Sequence, residues 1–221
     1  MEKQKLVLIS GSVFVIVIIV AILAGGTGNN ILNTGPGQPQ GYGPGQGGVQ
    51  PPQKVPGTGT GPGGNYPVLL PSENTAPLSE MEIADILFMR EEEQVAHDLY
   101  IRWAGRYTLP IFSNIADSET MHIYEVQLLV DRYGLSSERI GNATAGYSSP
   151  VIQSLYDTLG PQGDASLIAA LEAGLAVEER DIADLDLAIA STSRPDILQV
   201  WSNLRQGSEN HKAAFLRALG R

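Results

Sequence analysis

The sequence predicts an all-α domain over residues 78–221, a four-helix bundle with a short extra helix in the crossover, preceded by an N-terminal transmembrane helix and a disordered linker. Three observations carry this. Four segments repeat apolar residues at steps of three and four, the spacing of one buried helix face. Helix start and stop signals fall at their ends: Ser79 with Glu82, Gly105, Gly134 and Pro195. A Glu or a His interrupts the apolar stripe near the middle of each segment.

Taken in order, residues 1–5 are a short polar head and residues 6–24 an almost unbroken apolar run of 19, close to the ~20 residues that cross a bilayer as a helix. Lys3, Lys5 and the α-amino group precede the run and the next basic residue is Lys54, so the positive-inside rule keeps the N-terminus in the cytoplasm. The run is longer than the ~7–15 apolar residues of a cleaved signal, and Ile22 with Ala24 makes a poor cleavage site, which favours residues 1–24 as an uncleaved signal anchor. The expected location is the cell membrane, single-pass, with the C-terminal domain extracytoplasmic and membrane lipid as the partner of the first helix. No Cys is present, which excludes disulfides and a lipid-modified cysteine. Residues 25–77 are rich in Gly, Pro, Gln, Asn and Thr with one acidic and one basic residue, too little apolar surface to offset chain entropy, and read as a disordered tether.

Residues 78–221 suffice for one core and carry 22 Asp and Glu against 11 Lys and Arg. Such an acidic domain is not expected to bind nucleic acid or anionic lipid. Its first helix opens with the Ser79/Glu82 capping box and runs Ile86, Met89, Glu93, Ala96, Tyr100 and Trp103 to a stop at Gly105. Glu91 and Glu92 lie to the side of that stripe, Glu92 on its edge, and three consecutive Glu ordinarily form a solvated face. The second helix, from about residue 113 to 133, carries Ile115, Glu119, His122, Val126, Leu129 and Tyr133 on one stripe that Phe112 opens just before it, and ends at Gly134.

A connection follows that includes the glycosylation sequon Asn142-Ala143-Thr144, then a short helix over residues 151–159 and a turn at Gly160-Pro161-Gln162-Gly163. The third long helix begins near Asp164 with Leu171, Leu175, Glu178, Ile182, Leu185 and Ile189, and Asp181 lies one turn beyond Glu178. Glu179 and Asp184 point sideways and read as surface. The last helix starts at Pro195 or Asp196 and aligns Ile197, Trp201, Leu204, Ser208, His211, Phe215 and Leu219, with Glu209 pointing out. A long crossover between the second and third long helices fits a ferritin-like topology.

Glu119 and His122, three apart, share a face and could share one metal ion. A lone carboxylate in an apolar seam costs several kcal/mol unless ligated or paired. Glu93, Glu119, His122, Glu178 and His211 form a matched set from four helices, with Asp181 as an additional candidate ligand; carboxylates and imidazoles suit iron or manganese. Tyr100 and Tyr124 are candidates for hydrogen bonds to the site or for electron transfer, with core packing the more usual role for either. Arg90, Asp98 and Arg132 read as salt-bridge partners.

Through ILFMREEEQVAHDLY, IFSNIADSETMH, VEERDIADL and GSENHKAAF the chain resembles the ferritin-like family catalogued as domain of unknown function 2202, and more distantly rubrerythrin. The resemblance implies a site of two iron ions reacting with dioxygen or peroxide, with Glu93 the first-helix ligand, Glu119 a bridging carboxylate beside His122, Glu178 the third-helix carboxylate and His211 the last imidazole. The chain departs at Ser208, where the second Glu-x-x-His would have its Glu.

The expected function is that of a membrane-tethered diiron-type oxidoreductase acting on peroxide or dioxygen with an electron donor the residues do not name. The alternatives are a non-catalytic metal-binding module and a metal-free structural bundle. The tether sits awkwardly with a closed mineral-storing cage and is compatible with a homodimer.

Overall fold

Five α-helices and no strand make up the described part of the computed structural model, residues 70–72, 76–136 and 140–221. The expected membrane helix, and the tether up to residue 69, lie outside it. Among the described residues no helix is long and apolar enough to cross a membrane.

Helix α1 (Glu80–Ala104) starts at the expected capping box, in which Glu82 N–H donates to Ser79 Oγ and Ser79 N–H donates to Glu82 Oε2 at 2.8 Å. Helix α2 (Pro110–Arg132) begins three residues before the expected start at 113, because Pro110 occupies the first turn, where its missing N–H costs nothing. Gly134 follows with φ 61°, the left-handed position predicted for it. Helix α4 (Leu167–Ser191) starts at the Ser166 cap, later than the expected Asp164, and α5 (Pro195–Ala218) starts at its proline as expected.

The crossover helix α3 (Pro150–Asp164) corrects the expected turn at residues 160–163. The helix continues through Gly160, Pro161, Gln162 and Gly163. Those glycines serve close packing: a Cβ on Gly163 would lie 2.4 Å from the Trp103 ring, and one on Gly160 would lie 2.8 Å from Arg102 Nη1. The Asp164 carboxylate then pairs with Arg102 at 2.6 Å, fastening α3 to α1.

Helices α1 and α2 form one hairpin and α4 and α5 another; α1 also packs on α4 and α2 on α5, while α3 lies against α1 and α4. Short loops, residues 105–109 and 192–194, make the members of each hairpin antiparallel. The core divides along the bundle. Leu99, Tyr100, Trp103, Phe112, Leu171 and Phe215 belong to one apolar cluster, and Ile86, Met89, Val126, Leu185, Trp201 and Leu204 to the other. Each large side chain buried this way contributes about 1.5–3 kcal/mol. On every bundle helix the polar candidates fall between the residues of the two clusters, so the sequence builds a polar layer between two apolar ones.

The segment before α1 is fastened to the bundle. Arg132 Nη1 donates to the Pro71 carbonyl at 2.7 Å, and Arg194 Nη2 donates to the Ala76 carbonyl at 2.9 Å. Arg194 also meets Glu82 at 3.0 Å. Arg132 pairs with the fully buried Asp196, bridging α2 and α5 as expected of it.

Candidate metal centre

Helical periodicity turns Glu93 of α1, Glu119 and His122 of α2, Glu178 and Asp181 of α4, and Ser208 and His211 of α5 into the polar layer, and all are buried. His122 Nδ1 lies 2.8 Å from Glu119 Oε2 and 3.1 Å from Glu93 Oε2. His211 Nδ1 lies 2.9 Å from Glu119 Oε1 and 3.5 Å from Glu178 Oε2, close but without the alignment of a hydrogen bond. Glu119 thus stands between the two imidazoles, one oxygen toward each. The rings themselves stack with centroids 5.3 Å apart.

Surrounding groups hold these side chains in place. His211 Nε2 and Ser118 Oγ are 2.9 Å apart, leaving Nδ1 turned to the carboxylates. Tyr100 is fully buried and donates its hydroxyl hydrogen bond to Glu178, so it combines core packing with a bond to the site. The Ser208 hydroxyl bonds to Asp181 and lies 2.9 Å from the Leu204 carbonyl. His122 packs its Nε2 edge on α5 at Gly207, where a Cβ would stand 2.2 Å from that nitrogen. The Tyr124 hydroxyl is buried without a hydrogen-bond partner.

The electrostatics follow from burial and charge balance. Burial pushes the Glu93 carboxyl up to about 8 against the pull of His122. Burial and the Glu119 charge push Glu178 up to about 7. Burial and the charges of Glu93 and Glu178 raise Asp181 well above the carboxylate range. Burial would raise Glu119 too, but His122 and His211 outweigh it and hold that carboxyl far below its ordinary value. Burial opposes protonation of His211, yet Glu119 and Glu178 carry it up to about 10, and Glu119 and Glu93 likewise raise His122. Three carboxylates thus face two imidazoles, with Asp181 beside them on Ser208, and Glu93 Oε1 and Asp181 Oδ1 have no hydrogen-bond partner.

All six expected residues therefore meet in one layer. The solvated-face reading of the Glu triplet does not hold: Glu91, Glu92 and Glu93 are 2%, 1% and 2% exposed. Glu91 accepts backbone N–H bonds from Ser148 and Ser149 at 2.6 and 2.8 Å, and another from Gly141, tying down the connection to α3. Glu92 pairs with Arg180 at 3.0 Å. Asp184, expected on the surface, is buried beside the same arginine at 3.2 Å, whereas Glu179 is exposed and Glu209 turns outward to Arg205 as expected. The supporting residues Ser118, Arg180 and Gly207 carry no periodic signal that would single them out.

Fold and site together define an all-α bundle with a buried carboxylate–imidazole cluster. Glu119, His122 and His211 each offer a ligand atom, all within 4.8 Å of one another, and such a group could hold a metal ion. The family described as an uncharacterized protein domain, DUF2202, matches residues 82–221, and the chain belongs to it. It is 39% identical over 143 residues to the uncharacterized protein MJ0754 of Methanocaldococcus jannaschii, covering 65% of this chain and 77% of that protein. The crystal structure of the hypothetical protein MJ0754 superposes with a TM-score of 0.64 at 39% identity, over 68% of this chain and 86% of that one.

Proposed function

We propose that this is a membrane-tethered, ferritin-like metal-binding protein whose polar layer holds two ions of iron or manganese and acts on peroxide or dioxygen. The observation that supports it most is the donor set of the layer. Four buried carboxyl groups outnumber two imidazoles, so without a metal the layer keeps protons on Glu93 and Asp181, and two carboxylate oxygens are left unpartnered. Two divalent ions would balance four carboxylates while the imidazoles stayed neutral. Such ions, when bound, supply electron transfer and positions at which peroxide or dioxygen can be activated.

The chain's own residues have definable tasks. Glu119 sits where it can bridge, with His122 and His211 on either side. Ser118 orients His211, and Tyr100 holds one oxygen of Glu178. Ser208 is not a ligand in this reading; by hydrogen-bonding Asp181 it lets α4 supply the fourth carboxylate that the resemblance would place on α5. The likeness to rubrerythrin, the anchor at residues 6–24, the extracytoplasmic location, an electron donor and a homodimer belong to the same proposal and rest on the sequence.

A second reading, metal binding without turnover, is favoured by the depth of the ligands, which are 2–7% exposed. One experiment separates the two. The full-length chain is loaded anaerobically with iron(II), then given successive additions of peroxide, each followed by a chemical reductant, while metal content and absorbance are followed. Repeated peroxide consumption with a reversible spectral change supports the redox function. Tight iron without consumption leaves the binding module, and failure to load iron or manganese overturns both.

A further inference from the structure

A second acidic cluster adjoins the site. On α4, Glu178, Asp181 and Asp184 follow at three-residue steps, each advancing ~4.5 Å and turning roughly 60° around the helix. The row winds from the polar layer to the edge where α4 meets α1. There Glu92 and Asp184 share Arg180: its Nε is 3.0 Å from Glu92 Oε1 and its Nη2 is 3.2 Å from Asp184 Oδ2. Arg180 also leans over the Phe88 ring at 6.0 Å and is 21% exposed.

One arginine does not account for this cluster. Glu92 is 1% exposed, and its Oε2 has no hydrogen-bond partner; Asp181 Oδ1, one step inward, has none either. Asp181 belongs to the layer and Asp184 to the edge; Glu92 feels the charges of both, and Asp181 those of Glu93 and Glu178, so the unpartnered oxygens belong to a row of interacting carboxylates that runs inward from the mostly buried guanidinium. The two apolar clusters close the layer along the bundle in both directions.

We propose that Glu92, Asp184 and Asp181 form the inward route for a divalent cation to the buried site, with the Arg180 guanidinium as its displaceable gate. This rests on the metal-binding reading of the layer. A hydrated cation would replace the arginine at Glu92 and Asp184, exchange its water for carboxylate oxygens, and pass by way of Asp181 to Glu93 and Glu178. Arg180 then restores charge balance at the edge.

The test is the rate of cobalt(II) uptake by the full-length chain stripped of metal, read from visible absorption, with the bound equivalents counted at the end. Glu92→Gln and Asp184→Asn should each slow uptake about tenfold, the scale on which an acidic cleft concentrates cations, with the final count unchanged. Arg180→Gln should speed it. That opposition of sign is what a structural ion pair would not produce, and Asp184→Asn provides the slowing test if Glu92→Gln does not fold. Equal rates in all variants would overturn the route, and so would a lost equivalent in Glu92→Gln, which would make Glu92 a ligand. If the wild-type chain binds no cobalt, manganese or iron, the metal reading itself falls.

Discussion

Replacing Gly207 by Ala should weaken the proposed metal site more than it destabilises the fold. A Cβ at this position would stand 2.2 Å from His122 Nε2 and 2.5 Å from its Cε1. Ordinary contact is at least ~3.5 Å, so the ring must retreat by roughly 1.3 Å. Metal–ligand distances tolerate about 0.2 Å, and Nδ1 of the same ring is the atom facing Glu93 and Glu119, so the displacement moves it out of range. Affinity should fall about 100-fold, the upper end of what disturbing a ligand's support costs. Stability changes less: Ala gains about 1 kcal/mol of helix propensity, offset by about 1–3 kcal/mol of overpacking. The assay is a cobalt or manganese titration beside thermal unfolding of the metal-free protein. A Gly207→Ala protein that binds metal like the wild type would refute the placement of His122 as a ligand.

Gly163→Ala is the contrasting case, for its Cβ would meet the Trp103 ring at 2.4 Å, far from the polar layer; a loss of about 1–3 kcal/mol in denaturant unfolding with unchanged metal content is expected. Tyr100→Phe removes the donor to buried Glu178 and should cost about 1.5–3 kcal/mol in the same assay, lowering metal affinity about tenfold. The metal-free protein should lose stability as pH rises. Folding retains protons on Glu93 to about 8 and on Glu178 to about 7 that the unfolded chain releases from about 4.5. His211 and His122 act in the same direction above about 6.5, whereas the depressed Glu119 contributes a constant amount above the usual carboxylate range. Each retained proton costs ~1.4 kcal/mol per pH unit, so melting temperature should fall from pH 5 to pH 8 without metal and fall less, or rise, with it, since metal displaces those protons.

Much of the bundle could be read from the chain because its signals are local. The Ser79/Glu82 box, the turn at Gly134 and the proline at 195 act within a few residues, and each marks an element end as expected. The buried polar set was legible for a related reason: periodicity places Glu93, Glu119, His122, Glu178 and His211 on apolar stripes, and four such stripes leave one common interior. What escaped was set by contacts between elements distant in sequence. Gly160 and Gly163 look like turn residues, and only the side chains of Arg102 and Trp103 across from them show why a helix there requires glycine. Glu91 and Glu92 lie off the α1 stripe; the α3 connection covers the first and Arg180 of α4 the second. Asp184 is hidden by the same arginine.

The most direct measurement is the metal content of the full-length chain, purified without chelators and loaded with iron or manganese, beside a Glu119→Ala/His122→Ala control shown to be helical. Two ions per chain, balancing the four buried carboxylates, and their loss in the control is the predicted result. No bound metal in the wild-type chain after loading would contradict it and leave the polar layer as an internally paired, protonated structural cluster.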